Sequence, residues 1–328
     1  MPSISKHISR LKTGFTALLL VIMGFSASLF VSCSKDDDKE YTAKELLTFE
    51  LNEDIRTDSI GSYIKWLENM GTRFALAGNR RDIAVKIRNR LISFGFNNAV
   101  LDSFMISKSY NATLYQVWQY NVIATLEGSG GSDSVSILGA HYDNILMSGD
   151  PFLIVPGAND NASGVAALLE IARVMKKNNY LPEGPIKFIA FGGEELGLFG
   201  SYNYAGKAKD NHEKIRMMLN NDMIAYQTLA DKSGWVVNII DYNNSVSMRK
   251  RAEELGRKFT VLNFRNDNTY NRQSDSYPFF LNGFKPLFFF SDVIDPNYHS
   301  LNDRASACNF EYCSEIVKLN CALLVDIN

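Results

Sequence analysis

Two imidazoles and three carboxylates follow one another along this chain as His141, Asp160, Glu195, Asp222 and His299, with Glu194 beside the third. Such a set suits a pair of zinc-like ions that keep positions open for water. An adjacent pair of acids can divide the work, one carboxylate binding metal and the other accepting a proton. Taken singly, each residue has an ordinary use. Asp160-Asn161 reads as a helix N-cap and Glu194-Glu195 as a loop pair. Asp222 is harder to place, because an unpaired carboxylate ending an apolar strand is costly to bury. Besides His7 near the start, the only other histidine is His212, which lies in a charged loop and reads as solvated. Together the five residues point to a co-catalytic metallohydrolase.

The surrounding pattern says what must position them. Short apolar strands are predicted at Val135–Ala140, Ile186–Phe191, Ile215–Asn221, Trp235–Ile240 and Pro286–Phe290. Amphipathic helices are predicted at Arg56–Met70, Asn79–Phe94, Ser163–Lys177, Ser245–Lys258 and Glu311–Val325. Strands apolar throughout and alternating with helices indicate an α/β sheet covered on both faces. The stretch Leu101–Leu126 is hairpin-like, so the sheet is expected to be mostly parallel but mixed. His141, the Glu194-Glu195 pair and Asp222 each follow a strand, and His299 comes a loop after another. Asp160 sits in the turn before a helix. All five are therefore expected on one rim of one sheet, where open α/β sheets gather ligands.

The motifs around them are His141-Tyr142-Asp143, Gly157-Ala158-Asn159-Asp160-Asn161-Ala162-Ser163-Gly164, Phe191-Gly192-Gly193-Glu194-Glu195-Leu196-Gly197, Asn221-Asp222-Met223 and Tyr298-His299-Ser300-Leu301-Asn302-Asp303. This combination resembles the co-catalytic zinc aminopeptidases, a family that also contains glutaminyl cyclases and glutamate carboxypeptidase-like enzymes. The resemblance runs from about Arg56 to the C-terminus and takes in Gly71-Thr72-Arg73-Phe74. It implies a single-domain, three-layer α/β/α zinc exopeptidase fold holding two Zn2+ ions. Asp160 would bridge them, with His141 and Asp222 completing one site and Glu195 and His299 the other. Glu194 would be the general base acting on a metal-bound water. Asp143 would steady the second nitrogen of His141, and the Tyr298 hydroxyl would donate to the oxyanion. The implied reaction is release of residues from peptides with a free N-terminus. Glutaminyl cyclisation is the alternative, and a non-catalytic surface binding protein is a third reading. Cyclases of this fold usually carry Trp before the last histidine, where this chain has Tyr298. The segment Gln273-Ser274-Asp275-Ser276-Tyr277-Pro278-Phe279 departs from the family's Ser-Asp-His pattern at Ser276.

The first residues read as a targeting segment. Lys6, Arg10 and Lys12 precede an apolar run from Thr13 to Val31, and Leu29-Phe30-Val31-Ser32-Cys33 resembles a bacterial lipobox. The expected organisation is a lipoprotein signal peptide over 1–32, a flexible acidic tether over 33–50 and the catalytic domain over 51–328. Cys33 would carry the lipid and anchor the protein at a bacterial outer membrane or cell surface. A retained signal anchor is the other reading of the apolar run. The formal net charge is −2, and without the three basic residues of the leader the remainder is more negative, so nucleic acid is not an expected partner. Cys308, Cys313 and Cys321 lack metal-site spacing and read as buried free thiols.

Overall fold

Four apolar runs become neighbouring parallel strands at the centre of one eight-stranded sheet. The computed structural model describes residues 41–328. The strands are β1 (Val100–Tyr110), β2 (Thr113–Leu126), β3 (Val135–His141), β4 (Ile186–Phe191), β5 (Ile215–Asn221), β6 (Val236–Ile240), β7 (Asn263–Arg265) and β8 (Pro286–Ser291). Their spatial order is β1-β2-β4-β3-β5-β8-β6-β7. The β4-β3-β5-β8 centre is parallel, while β1-β2, β2-β4 and β6-β8 are antiparallel. The mixed sheet expected from the sequence is thus observed.

The helices are α1 (Ala43–Glu53), α2 (Thr57–Glu68), α3 (Arg80–Ser93), α4 (Ser163–Lys177), α5 (Phe199–Asp210), α6 (Val246–Phe259), α7 (Ser276–Leu281) and α8 (Phe310–Ile327). Alternation along each strand divides the core between the two faces. Leu138, Ala140, Phe188, Leu219, Leu287 and Phe289 face α2, α3, α4, α6 and α8. Ile137, Ile189, Phe191 and Met218 face the opposite way, against Tyr204 and Ala205 of α5 and Phe279 of α7. This is a three-layer α/β/α arrangement, and it explains why the central strands carry apolar residues on both faces.

One boundary needs correction. Residues 43–50, expected in a flexible tether, form most of α1. Thr42 and Glu45 make a reciprocal capping box at its start. Leu51 is buried in the main core, Phe49 packs edge-on against Phe259 and Lys44 donates to the Asp326 carbonyl. Residues 43–50 therefore belong to the folded body. The signal segment, Cys33 and the first part of the tether lie outside the described residues. Cys308, Cys313 and Cys321 are free; Cys313 and Cys321 are buried as expected, while Cys308 is partly exposed. Among the described residues no helix is long and apolar enough to cross a membrane.

Candidate functional site

His141 is the last residue of β3, Asp222 directly follows β5, and Glu194-Glu195 follow β4 through Gly192-Gly193. These strands are parallel neighbours, so their carboxyl ends share one rim and the three loops meet. Asp160 reaches the same point from the loop before α4, and His299 from the loop after β8. His141 Nε2 lies 3.3 Å from Asp160 Oδ1 and 3.3 Å from Asp222 Oδ1. His299 Nε2 lies 3.0 Å from Asp160 Oδ2 and 2.9 Å from Glu195 Oε2. Glu194 Oε2 stands 4.0 Å from His141 Nε2.

The two oxygens of Asp160 are thus divided between the histidines, giving two donor triplets that share one carboxylate: His141, Asp160, Asp222 and Asp160, Glu195, His299. His299 Nε2 approaches two carboxylates closely, yet neither contact has hydrogen-bond geometry, and Glu195 Oε1 is also buried without a partner. Donor atoms buried this close together without hydrogen-bond partners leave lone pairs that a cation can take up. The triplets fit divalent metal by donor type and by convergence.

The loops are held by residues around the donors. Asp143 does not act as the sequence suggested. Its carboxylate is 3.8 Å from His141 Nδ1, which instead meets the Asp143 backbone carbonyl at 3.2 Å. The carboxylate accepts the backbone N–H groups of Gly193 and Glu194 at 2.9 and 3.0 Å on one oxygen, and that of Glu195 at 3.3 Å on the other. The reason is local: Gly193 has φ +79°, and this turn aims three successive N–H groups inward. Asp143 therefore positions the acid pair.

Asp303 does the same for Asp160, accepting from the N–H groups of Asn159 at 2.7 Å and Asp160 at 3.0 Å. Ser274 donates to Asp222 Oδ2 at 2.6 Å and accepts from Asn220 Nδ2 at 2.6 Å. Asn161 Oδ1 accepts from Gly164 and Met223, tying the Asp160 loop to the Asp222 loop. Arg73 is buried beneath and donates to the carbonyls of Tyr142, Leu67, Pro156 and Gly157. Gly157 is required there, since a Cβ would stand 2.6 Å from the Asp160 carbonyl oxygen and 2.8 Å from Arg73 Nη2. Ser276, where the family motif has histidine, shares a 2.8 Å hydrogen bond with the Tyr242 hydroxyl.

Electrostatics mark the cluster as unusual. Burial pulls His141 down, but Glu194, Asp222 and Asp160 outweigh it and hold the imidazole well above its ordinary range. Burial likewise opposes His299, yet Asp160 and Glu195 bring it to about 10. Burial raises Asp160, but His141 and His299 reverse this and keep it below the usual carboxylate value. Glu195 is pushed up to about 8 by burial and by Asp160, and burial raises Glu194 well above its ordinary value, aided by Glu195 and Asp222. Burial lowers Arg73 to about 10, so its charge persists at neutral pH under the acid cluster.

The donors open onto a cavity of about 600 Å³, whose wall includes Leu198, Tyr202, Met223, Tyr270, Phe288, Phe290, Ile294 and Tyr298. Tyr270 and Tyr298 thus belong to it, whereas Phe279 is buried in the α5–α7 core and Tyr277 and Phe280 lie elsewhere. The ring of Tyr298 stacks on His299 with centroids 3.7 Å apart, and the residue is 41% exposed.

Residues 121–324 match the family described as peptidase family M28. A leucine aminopeptidase 1 of Trichophyton rubrum is 29% identical over 214 residues, covering 61% of this chain and 56% of that protein. The chain spans about half the length of the curated relatives it matches. An aminopeptidase from Aneurinibacillus sp. strain AM-1 shares the fold with TM-score 0.71 and 16% identity, over 84% of this chain and 95% of that one. A glutaminyl cyclase of Bacteroides thetaiotaomicron shares it with TM-score 0.66 and 18% identity, over 83% of this chain and 98% of that one.

Proposed function

The chain belongs to peptidase family M28, and on that footing we propose that it is a zinc aminopeptidase removing residues from the N-terminus of peptides. The observation that carries this is the divided carboxylate of Asp160, 3.3 Å from His141 on one oxygen and 3.0 Å from His299 on the other. In this reading His141, Asp160 and Asp222 hold one Zn2+, and Asp160, Glu195 and His299 hold a second. When bound, the ions polarise the scissile carbonyl and lower the pKa of the attacking water.

Glu194 carries the protons. It takes one from the attacking water and delivers it to the departing amine. Burial and neighbouring acids raise its pKa, which suits a group that must hold the proton between the two transfers. Cations in the adjoining donor sets favour the carboxylate form in which it begins. Burial, with the site's carboxylates, also raises Tyr298, so its hydroxyl stays protonated and able to donate to the oxyanion. Asp295, an acid of the cavity wall outside the two donor sets, attracts a substrate's free α-ammonium and so favours N-terminal residues.

The test is product analysis with purified, zinc-loaded protein. Free amino acid should appear from an unblocked leucyl peptide, with little ammonia from a Gln-initiated one. Rapid ammonia release without free amino acid would assign glutaminyl cyclisation instead. A lipid on Cys33, placing the enzyme at a bacterial outer membrane or cell surface, belongs to the same proposal. It is supported by the basic segment, the apolar run and the Leu29–Cys33 motif.

A further inference from the structure

The geometry points to Arg272 as the residue that selects substrates bearing a carboxylate, an inference that rests on the aminopeptidase reading above. Arg272 lines the cavity, where the other ionisable groups are carboxylates, the two donor histidines and tyrosines. Its side chain is exposed and, among the described residues, makes no ion pair or hydrogen bond. Its one close partner is the Tyr277 ring, with the guanidinium carbon 5.9 Å from the centroid. Arg73, by contrast, is tied to four backbone carbonyls.

The segment that carries Arg272 is nonetheless fixed. Tyr242 donates to the Asn271 carbonyl at 2.6 Å, and Gln273 N–H to the Tyr270 carbonyl at 3.0 Å. Ser274, two residues on, is bonded to Asp222. The Cα of Arg272 is therefore set relative to the metal donors, while its guanidinium is left free. A planar fork of donors on a rigid base matches a carboxylate in two-point contact. In a cavity with no other lysine or arginine in its lining, it gives an anionic substrate group a place to go.

That carboxylate has two sources: the side chain of an N-terminal Glu or Asp, or the C-terminus of a dipeptide. Two substrate pairs separate them. Glu-arylamide against Gln-arylamide reads the side chain; Leu-Leu against Leu-Leu-amide reads the terminus. In wild-type protein one pair should favour the carboxylate member in kcat/KM by about tenfold, the scale of one charge-assisted contact. Arg272→Gln should bring that ratio close to one, mainly through KM, and Arg272→Lys should restore part of it. Equal kcat/KM within both pairs in wild type, or a preference that Arg272→Gln leaves intact, overturns the inference. Calorimetric binding of whichever pair discriminates, to zinc-loaded Glu194→Gln protein, reads the same preference without turnover. A ratio that depends on Arg272 in calorimetry, with no hydrolysis by the wild type, would retain carboxylate recognition and refute only the peptidase reading.

Discussion

Replacing Asp143 with Asn separates two roles for a residue that touches neither substrate nor donor nitrogen through its carboxylate. The Asp143 carboxylate takes three backbone N–H groups, two on Oδ1 and one on Oδ2. An amide can reproduce the Oδ1 pair but presents an NH2 to the Glu195 N–H. One charge-assisted bond is lost, two donors face each other, and the remaining pair is weakened by loss of charge. Bonds to charged groups contribute about 1.5–3 kcal/mol each, so the loop position is destabilised by about 2–4 kcal/mol. Expressed as misplacement of Glu194 and Glu195, that is a loss of about 30- to 1000-fold in kcat. The metal held with Glu195 and His299 should weaken, and the one held with His141 should not. Competition titration with a chromophoric chelator, together with steady-state kinetics on a leucyl arylamide, measures both. If Asp143→Asn instead loosened only the ion at His141 and left kcat within threefold of wild type, the carboxylate would be acting through the imidazole, and the loop-holding role would be wrong.

Glu194→Gln keeps the shape of the base and removes its proton acceptance, so it should retain both metals and lose at least about two orders of magnitude in kcat; near-normal turnover in metal-replete protein would remove Glu194 from that role. The metal-free protein should lose stability as pH rises. Burial raises Glu195 from 4.5 to about 8, and both Asp275 and Asp303 from 3.8 to about 7, so the folded state holds protons that the unfolded chain has already released. That stability is complete below about pH 4 and is lost as pH passes 7–8; Tm of chelator-treated protein should fall by at least about 5 °C between pH 5 and 8.5, and a flat or rising Tm would contradict the burial argument. Cys33→Ser should release the protein from the membrane fraction, and persistence there after a carbonate wash would indicate a retained anchor helix.

The convergence of the five donors was legible in the sequence because strand ends position them. An apolar run that stops at His141, Phe191 or Asn221 announces both a buried strand and the rim where its next residues emerge. The supporting residues were less visible, because their partners are backbone N–H groups or residues far away in sequence. Asp143 lies 50 residues from Gly193 and Asp303 lies 144 from Asn159. Nothing in the local pattern around either predicts three inward N–H groups or a clamp on the Asp160 loop. Asp303 and Arg73 stood inside family-like motifs, which signalled importance without a role. Ser274 is a clearer case: its link to Asp222 exists only because α7 and β5 meet on one face of the sheet. Three helices were not predicted: α1, α5 and the six-residue α7. In α5, Gly200 and Gly206 interrupt the pattern and the buried face relies on small residues such as Ala205 and Ala208. In α1, the capping box Thr42–Glu45 was present, but it followed directly on the acidic run and was read with it.

The central claim is that Asp160 is shared between two metal ions. Metal content after gel filtration in excess zinc tests it directly, by elemental analysis of wild-type, His299→Ala and Asp160→Ala proteins, each checked for folding by circular dichroism. Two zinc ions should remain in wild type and one in His299→Ala, while folded Asp160→Ala should hold less than either. An Asp160→Ala protein that keeps two ions would contradict the shared carboxylate and, with it, the two-metal account of this site.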